Sequence, residues 1–260
     1  MWGKAARAVL AAMALAGWLG WLGGCKEGGS GGGSSQQGSA QQDSGARTKE
    51  EIMKRVADIH WYGHDAFRIE DAGQQIYIDP WQLPDGLPKA DVILVTHEHH
   101  DHYSADDIDK VVGPKTLVMA PTELAHKMGH GALGAEPGRT MDTGGVSITT
   151  VPAYNVDKKF HPKGNNWLGY IVTLKDGTTV YHAGDTDFTP EMKALKVDIA
   201  LLPVSGTYVM TAEQAAEAAN AFRPAVVIPM HYGTIVGTAD DAERFKKAFQ
   251  GETVIKQVEK

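Results

Sequence analysis

Six consecutive residues, His97-Glu98-His99-His100-Asp101-His102, carry four imidazoles and two carboxylates directly after the apolar run Asp91-Val92-Ile93-Leu94-Val95. In an extended segment side chains alternate, so His97 and His99 point to the same side. Two imidazoles on one side, followed by a carboxylate and another imidazole, suit a pair of adjacent divalent ions, because neutral nitrogen and oxygen donors match zinc, manganese or iron. The competing reading is an accidental, solvent-exposed histidine tract. Against it, four imidazoles placed close together would repel once protonated and gain nothing in stability. A bound cation removes that conflict. Two further segments share this construction: the apolar run ending at His182 leads into Gly184-Asp185, and the run 225–229 leads into Met230-His231. Three strands would deliver donors to one rim, where ligand sites gather in layered α/β folds.

Those strands must come from the surrounding pattern. Short β-branched and aromatic runs bounded by turn signals predict strands at residues 58–62, 66–69, 75–78, 91–95, 116–119, 146–151, 170–174, 178–182, 199–203, 225–229 and 253–258. Lys175-Asp176-Gly177 makes a tight hairpin between two of them. Helices are predicted at residues 105–112, 122–128, 211–222 and 239–249, with the pairs Ser104 and Asp107, and Thr211 and Gln214, in capping positions. Hairpins at both ends of the pattern, with helices spaced between strands, favour a layered α/β sandwich over a doubly wound parallel sheet.

Of the 260 residues 42% are hydrophobic and 22% charged, which fits one sizeable domain plus extra segments. The net charge is −7, and without residues 1–24 the chain carries 23 basic against 32 acidic residues. That balance argues against a nucleic-acid partner held on a broad basic face. Cysteine occurs once, as Cys25, so there is no intrachain disulfide and no thiolate in any metal site. Residues 1–24 read as a secretion signal, with Lys4 and Arg7 at the charged start, an apolar stretch at 8–22 and Gly23-Gly24 at the cut. Residues 25–50 hold Cys25 and a Gly, Ser and Gln linker too polar to fold, and the folded domain is expected at residues 51–260.

Leu22-Gly23-Gly24-Cys25 resembles the bacterial lipobox, which implies lipid on Cys25, export and a membrane anchor; an ordinary cleaved signal with an incidental cysteine is the alternative. Lys26 differs from the aspartate of an inner-membrane retention signal, so the resemblance implies an outer-membrane anchor facing the periplasm in a Gram-negative host. His97-x-His99-x-Asp101-His102, Gly184-Asp185 and His231 resemble the motifs of the metallo-β-lactamase superfamily, over residues 52–260. The implied fold is its four-layer αββα sandwich. Trp61-Tyr62-Gly63-His64, Ile78-Asp79-Pro80, His182-Ala183-Gly184-Asp185-Thr186 and Pro229-Met230-His231-Tyr232-Gly233 are similar to its L-ascorbate-6-phosphate lactonase-like branch of metal-dependent hydrolases.

The resemblance implies two divalent ions, zinc first and manganese or iron as alternatives. His97, His99 and a loop histidine would hold one, Asp101, His102 and His231 the other, and Asp185 would bridge. Here the loop departs from the family pattern: where a Gly-His or Ala-x-His context is expected, the chain reads Ala153-Tyr154-Asn155. His161, six residues on, is the favoured replacement; Asn155 as a poorer oxygen donor, or a site without this ligand, remain open. Two ions about 3.5–4 Å apart can lower the pKa of a shared water toward neutrality, with Asp101 or Asp185 handling the proton. Asp79 is similar to a family aspartate that orients the first motif, or is a turn-forming Asp-Pro. His64 faces the pocket or packs beneath it, as do Trp167 and Tyr208. His182 is expected to point into the core, and His60, His100, His126 and His130 to be ordinary polar residues. The implied activity is hydrolysis of a small ester, lactone or phosphate ester. Phospholipid cleavage is an alternative, since N-acyl-phosphatidylethanolamine phospholipase D is similar in fold and motif order, and so is a non-catalytic metal- or ligand-binding lipoprotein.

Overall fold

A computed structural model describes residues 47–260. The secretion signal, Cys25 and most of the expected linker lie outside the described residues. The first element is α1 (Lys49–Val56), where the Thr48 hydroxyl accepts from the Glu51 N–H and the Glu51 carboxylate accepts from the Thr48 N–H. Its start lies two residues ahead of the expected domain boundary, because the capping box is built from polar residues at the end of the polar stretch. Ile52 and Val56 of α1 are buried.

The first sheet starts as an antiparallel meander of β1 (Ile59–Gly63), β2 (Ala66–Asp71) and β3 (Gln74–Ile78). It continues in parallel through β4 (Val92–Leu94), α2 (Ala105–Val111), β5 (Leu117–Pro121), α3 (Thr122–Met128) and β6 (Leu133–Ala135), with strands neighbouring one another in chain order. The second sheet repeats the plan: β7 (Thr140–Asp142), β8 (Ser147–Pro152), β9 (Leu168–Thr173) and β10 (Thr179–His182) are antiparallel. After α4 (Pro190–Lys193) come the parallel strands β11 (Ile199–Pro203), β12 (Val226–Met230) and β13 (Glu252–Thr253), separated by α5 (Ala212–Phe222) and α6 (Ala239–Ala248).

Strand alternation sorts the side chains into layers. Phe67, Ile69, Ile76, Ile78 and Leu94 of the first sheet share one core with Ile148, Leu168, Tyr170 and Val172 of the second. Tyr77, Ile93 and Val118 point the other way, onto Ile108 and Val111 of α2 and Leu124 of α3. Across the second sheet, Tyr181 meets Phe222 of α5, ring centroids 6.4 Å apart. The result is the expected four-layer αββα sandwich, in which each fully buried Ile or Phe contributes about 1.5–3 kcal/mol. Central β11 and β12 are buried at every position, which is why they read as unbroken apolar runs. The buried Tyr170 hydroxyl donates to the Val95 carbonyl at 2.8 Å and ties the sheets together two residues before His97.

Elsewhere the structure departs from the sequence reading. The strands β6 and β7 and the helix α4, three or four residues each, are too short to leave a periodic signal. The strand predicted at 253–258 pairs only through Glu252–Thr253. Beyond it the chain leaves the second sheet and reaches the outer strand of the first, where the Glu259 N–H donates to the Trp61 carbonyl at 2.8 Å and its carboxylate lies 2.9 Å from His60 Nδ1. Among the described residues no helix is long and apolar enough to cross a membrane.

Candidate metal centre

The ends of the strands from both sheets meet at one rim. β3 runs into Asp79, β4 into Thr96 and the His97–His102 loop, β10 into Gly184-Asp185, β11 into Ser205 and β12 into His231, while the β1–β2 turn brings in His64-Asp65. His97, His102, His161, Asp185 and His231 are buried, and His99 and Asp101 are half-buried.

Two donor groups share Asp185. In the first, His97 Nε2 lies 3.0 Å from His99 Nδ1, and His161 Nε2 is 3.3 Å from His99 Nδ1 and 3.1 Å from Asp185 Oδ2. In the second, His102 Nε2 is 3.4 Å from Asp185 Oδ1, His231 Nε2 is 3.3 Å from Asp185 Oδ2, and Asp101 Oδ2 is 4.0 Å from His102 Nε2. The ligand atoms of His97, His99, His161 and Asp185 lie within 4.8 Å of one another, as do those of His64, Asp101, His102 and His231. All seven residues singled out as donors are brought together, and His161 stands among them. Asn155 does not: its Nδ2 donates to the Phe160 and Tyr208 carbonyls at 3.0 and 2.6 Å and approaches His161 Nδ1 at 3.1 Å, so it braces the loop that carries His161.

The surrounding contacts orient these rings. Asp79 accepts from the Thr96 N–H at 2.7 Å and the Thr96 hydroxyl at 2.6 Å, and lies 2.7 Å from His102 Nδ1, leaving Nε2 free to face Asp185. Ser205 Oγ lies 2.9 Å from His231 Nδ1. His64 Nε2 is 3.1 Å from Asp101 Oδ2, so His64 sits at the centre rather than beneath it. Trp167 covers the first group, its ring 4.7 Å from His97 and 5.0 Å from His99. His182 is fully buried against Phe67, as expected of a core residue, yet both ring nitrogens have backbone partners: Nε2 is 3.0 Å from the Asp65 carbonyl, and Nδ1 accepts from the Gly184 N–H at 3.2 Å. His182 thus couples the β1–β2 turn to the Asp185 loop. Sequence reasoning missed Ser205 and Asp65, and the only signal for Asp65 was its place beside His64. His100 is exposed.

Charge in the metal-free cluster is divided unevenly. Burial, then the neighbouring His102, push His97 well below the ordinary histidine range, and burial with His161 lowers His99. For His102 burial opposes charging, but Asp185, Asp65 and Asp79 outweigh it and raise the imidazole well above its usual value. His231 is raised likewise, by Asp185 and Asp65 against burial. Burial alone would raise Asp185, but His231 and His102 hold it well below the usual carboxylate range; Asp101 is lowered in the same way by the His64 hydrogen bond.

Five buried polar atoms here find no hydrogen-bond partner: His102 Nε2, Asp185 Oδ1, both oxygens of Asp65 and Asn155 Oδ1. Such atoms are costly to bury unless something satisfies them. Nitrogen atoms facing one another at 3.0–3.3 Å, beside carboxylates, leave cations as the partners that satisfy the whole set. The residues fit divalent metal, three imidazoles with Asp185 on the His97 side and a more even mix of imidazole and carboxylate on the His102 side.

Residues 58–231 match the family model described as the beta-lactamase superfamily domain, a span that starts at the β1 edge and ends on His231. The chain belongs to the metallo-β-lactamase superfamily. Within it, a UPF0173 metal-dependent hydrolase of Nitratidesulfovibrio vulgaris is 35% identical over 209 residues, spanning 73% of this chain and 85% of the relative. A crystal structure from Parabacteroides distasonis superposes with a TM-score of 0.70 at 36% identity, covering 77% of this chain and 93% of its own. A metallo hydrolase of the archaeon Ignicoccus hospitalis gives a TM-score of 0.64 at 27% identity over 78% and 95%. This superfamily member is a metal-dependent hydrolase.

Proposed function

We propose that the protein hydrolyses a small, uncharged carboxylic ester or lactone bearing an apolar group, using two divalent ions, of which zinc best matches the His97, His99 and His161 group. The observation that carries this reading is the opening above the donors. A cavity of about 270 Å³ is walled by Asp101, Phe160, Tyr208, Ile235 and Val236 around the metal-facing side chains, and neither Lys nor Arg lines it. Phe160 and Tyr208 meet edge to face at 4.5 Å and are half exposed, which makes an apolar clamp at the mouth. A phosphate ester would find cationic partners only in the ions themselves, since no Lys or Arg lines the wall to hold its remaining charge. Similarity to the L-ascorbate-6-phosphate lactonase-like branch points the same way for the lactone, though not for a phosphate.

Bound divalent ions supply Lewis acidity and bring the pKa of water toward neutrality. The chain's own residues do the rest. Asp185 joins the two donor groups and fixes their separation. Asp79 and Ser205 hold the His102 and His231 rings in orientation. Asp101, half-buried and lining the cavity, is placed within reach of the leaving oxygen to pass it a proton. Phe160 and Tyr208 hold the apolar part of the substrate and exclude water beside it.

Metal analysis of the purified protein, followed by turnover of aryl esters, lactones, phosphodiesters and phospholipid vesicles, tests this. About two equivalents of metal are expected, with ester or lactone turnover, and both are lost in His99→Ala. Faster turnover of phosphodiesters or phospholipid would overturn the substrate class. Thermal stabilisation by an ester or lactone without any turnover would establish a binding protein instead.

The lipobox-like segment supports placing this hydrolase on a membrane, exported and anchored through lipid on Cys25, at the periplasmic face of the outer membrane in a Gram-negative host. Fractionation of cells making Cys25→Ala should move the protein from membranes to the soluble fraction; an unchanged distribution refutes the anchor.

A further inference from the structure

The His64-Asp65 turn between β1 and β2 brings one more carboxylate under the second donor group. Asp65 is fully buried, and neither of its oxygens meets a hydrogen-bond donor. Its Oδ2 lies 3.6 Å from His64 Nε2 and 3.9 Å from His102 Nε2, and no Lys or Arg pairs with it among the described residues. Ligand atoms of Asp65, His102, Asp185 and His231 all lie within 4.8 Å of one another.

The turn is held in place from three sides. The His64 carbonyl accepts from Trp61 Nε1 and from the His231 N–H, each at 3.0 Å, and the Asp65 carbonyl is 3.0 Å from His182 Nε2. His64 itself takes the left-handed conformation, at φ 51°, which a β-carbon disfavours. A turn fixed so firmly carries into a cluster of imidazoles a carboxylate whose two oxygens lack any hydrogen-bond donor, a place that a bound cation would satisfy.

We propose that Asp65 is an additional metal ligand, and that it makes the His102 side a carboxylate-rich site for a hard divalent ion such as manganese or iron(II). This rests on the two-ion reading above. The His97 side offers three imidazoles and the shared Asp185, a set that suits tetrahedral zinc. On the His102 side Asp65 and the shared Asp185 stand with His102 and His231, and Asp101 and His64 stand beside the same two imidazoles, more donors than a tetrahedron holds and three of them carboxylates. Carboxylate-containing sets of higher coordination suit manganese or iron(II), the choice resting on geometry and metal supply because raw affinity still runs toward zinc. His64, which contacts Asp101 through Nε2, acts on this site by orienting a ligand.

Metal-free full-length protein loaded with one equivalent of zinc and then titrated with manganese(II), with free manganese read by electron paramagnetic resonance, tests the assignment. Wild type should take up one manganese per chain. Asp65→Asn should bind it at least about tenfold more weakly, while keeping the first zinc. The metal-free variant should still unfold in one cooperative transition, since the amide keeps the shape of the carboxylate. Asp65→Ser repeats the measurement if the amide disturbs the turn. Unchanged manganese affinity in these variants overturns the assignment. Wild type binding a single ion in total overturns the two-ion reading, and the assignment with it.

Discussion

Protons and cations compete for the same nitrogens at this centre, and the two donor groups start from different positions. His97 and His99 are pushed below the ordinary histidine range, so they are neutral and ready for an ion at pH 7. His102 and His231 are raised, so in the metal-free protein they hold protons from the normal histidine pKa up to their raised values. An ion entering the second group must displace those protons, and its affinity should therefore tighten as pH rises through the neutral range. Titration calorimetry in two buffers of different ionisation enthalpy should show little proton release for the first equivalent and release of at least about one proton for the second; equal release would contradict this charge division. The histidines of the 97–102 loop, Asp185 and His231 were legible in the sequence because each follows an apolar strand. His161 was favoured over Asn155 there without being settled, since the choice depends on a loop that Asn155 ties together through its amide. Asp65 was hidden because an aspartate in a hairpin turn has an ordinary explanation as a turn former.

At the scale of elements, both sheets change from an antiparallel meander to parallel strands, and the donors follow the parallel strand ends. That arrangement needs close approach between loops, which one glycine makes possible. Gly184 has φ +63°, and a β-carbon there would stand 3.0 Å from the Leu168 carbonyl oxygen and 3.2 Å from the Thr96 side chain. Gly184→Ala should cost about 1–3 kcal/mol in denaturant unfolding through backbone strain and should weaken metal retention by displacing Asp185. A variant as stable and as metal-rich as wild type would show that the loop relaxes freely. Long, apolar strands such as β11 and β12 were readable from composition alone, as were the capped helices α2 and α5. The C-terminal strand was drawn too long because Val254, Ile255 and Val258 read as strand formers, while the chain there is crossing from one sheet to the other.

For the whole molecule, the metal centre joins the two sheets and should add to their stability. Stripping the ions leaves Asp65 and the Asp185 Oδ1 buried without partners. Restoring free metal to a hundred times its dissociation constant should return about 2.7 kcal/mol per site, read as a rise in melting temperature after chelation and reloading; a melting temperature indifferent to chelator would contradict this. The last residues matter for a different reason. β1 is the outermost strand of its sheet, and the Glu259 backbone lies against it at Trp61. Removing residues 256–260 would uncover the Trp61 carbonyl on this edge strand, an acceptor able to pair with a neighbouring copy. Light scattering should then reveal self-association that grows with concentration, and a variant that stays monomeric throughout would show that one covered carbonyl does not guard the edge.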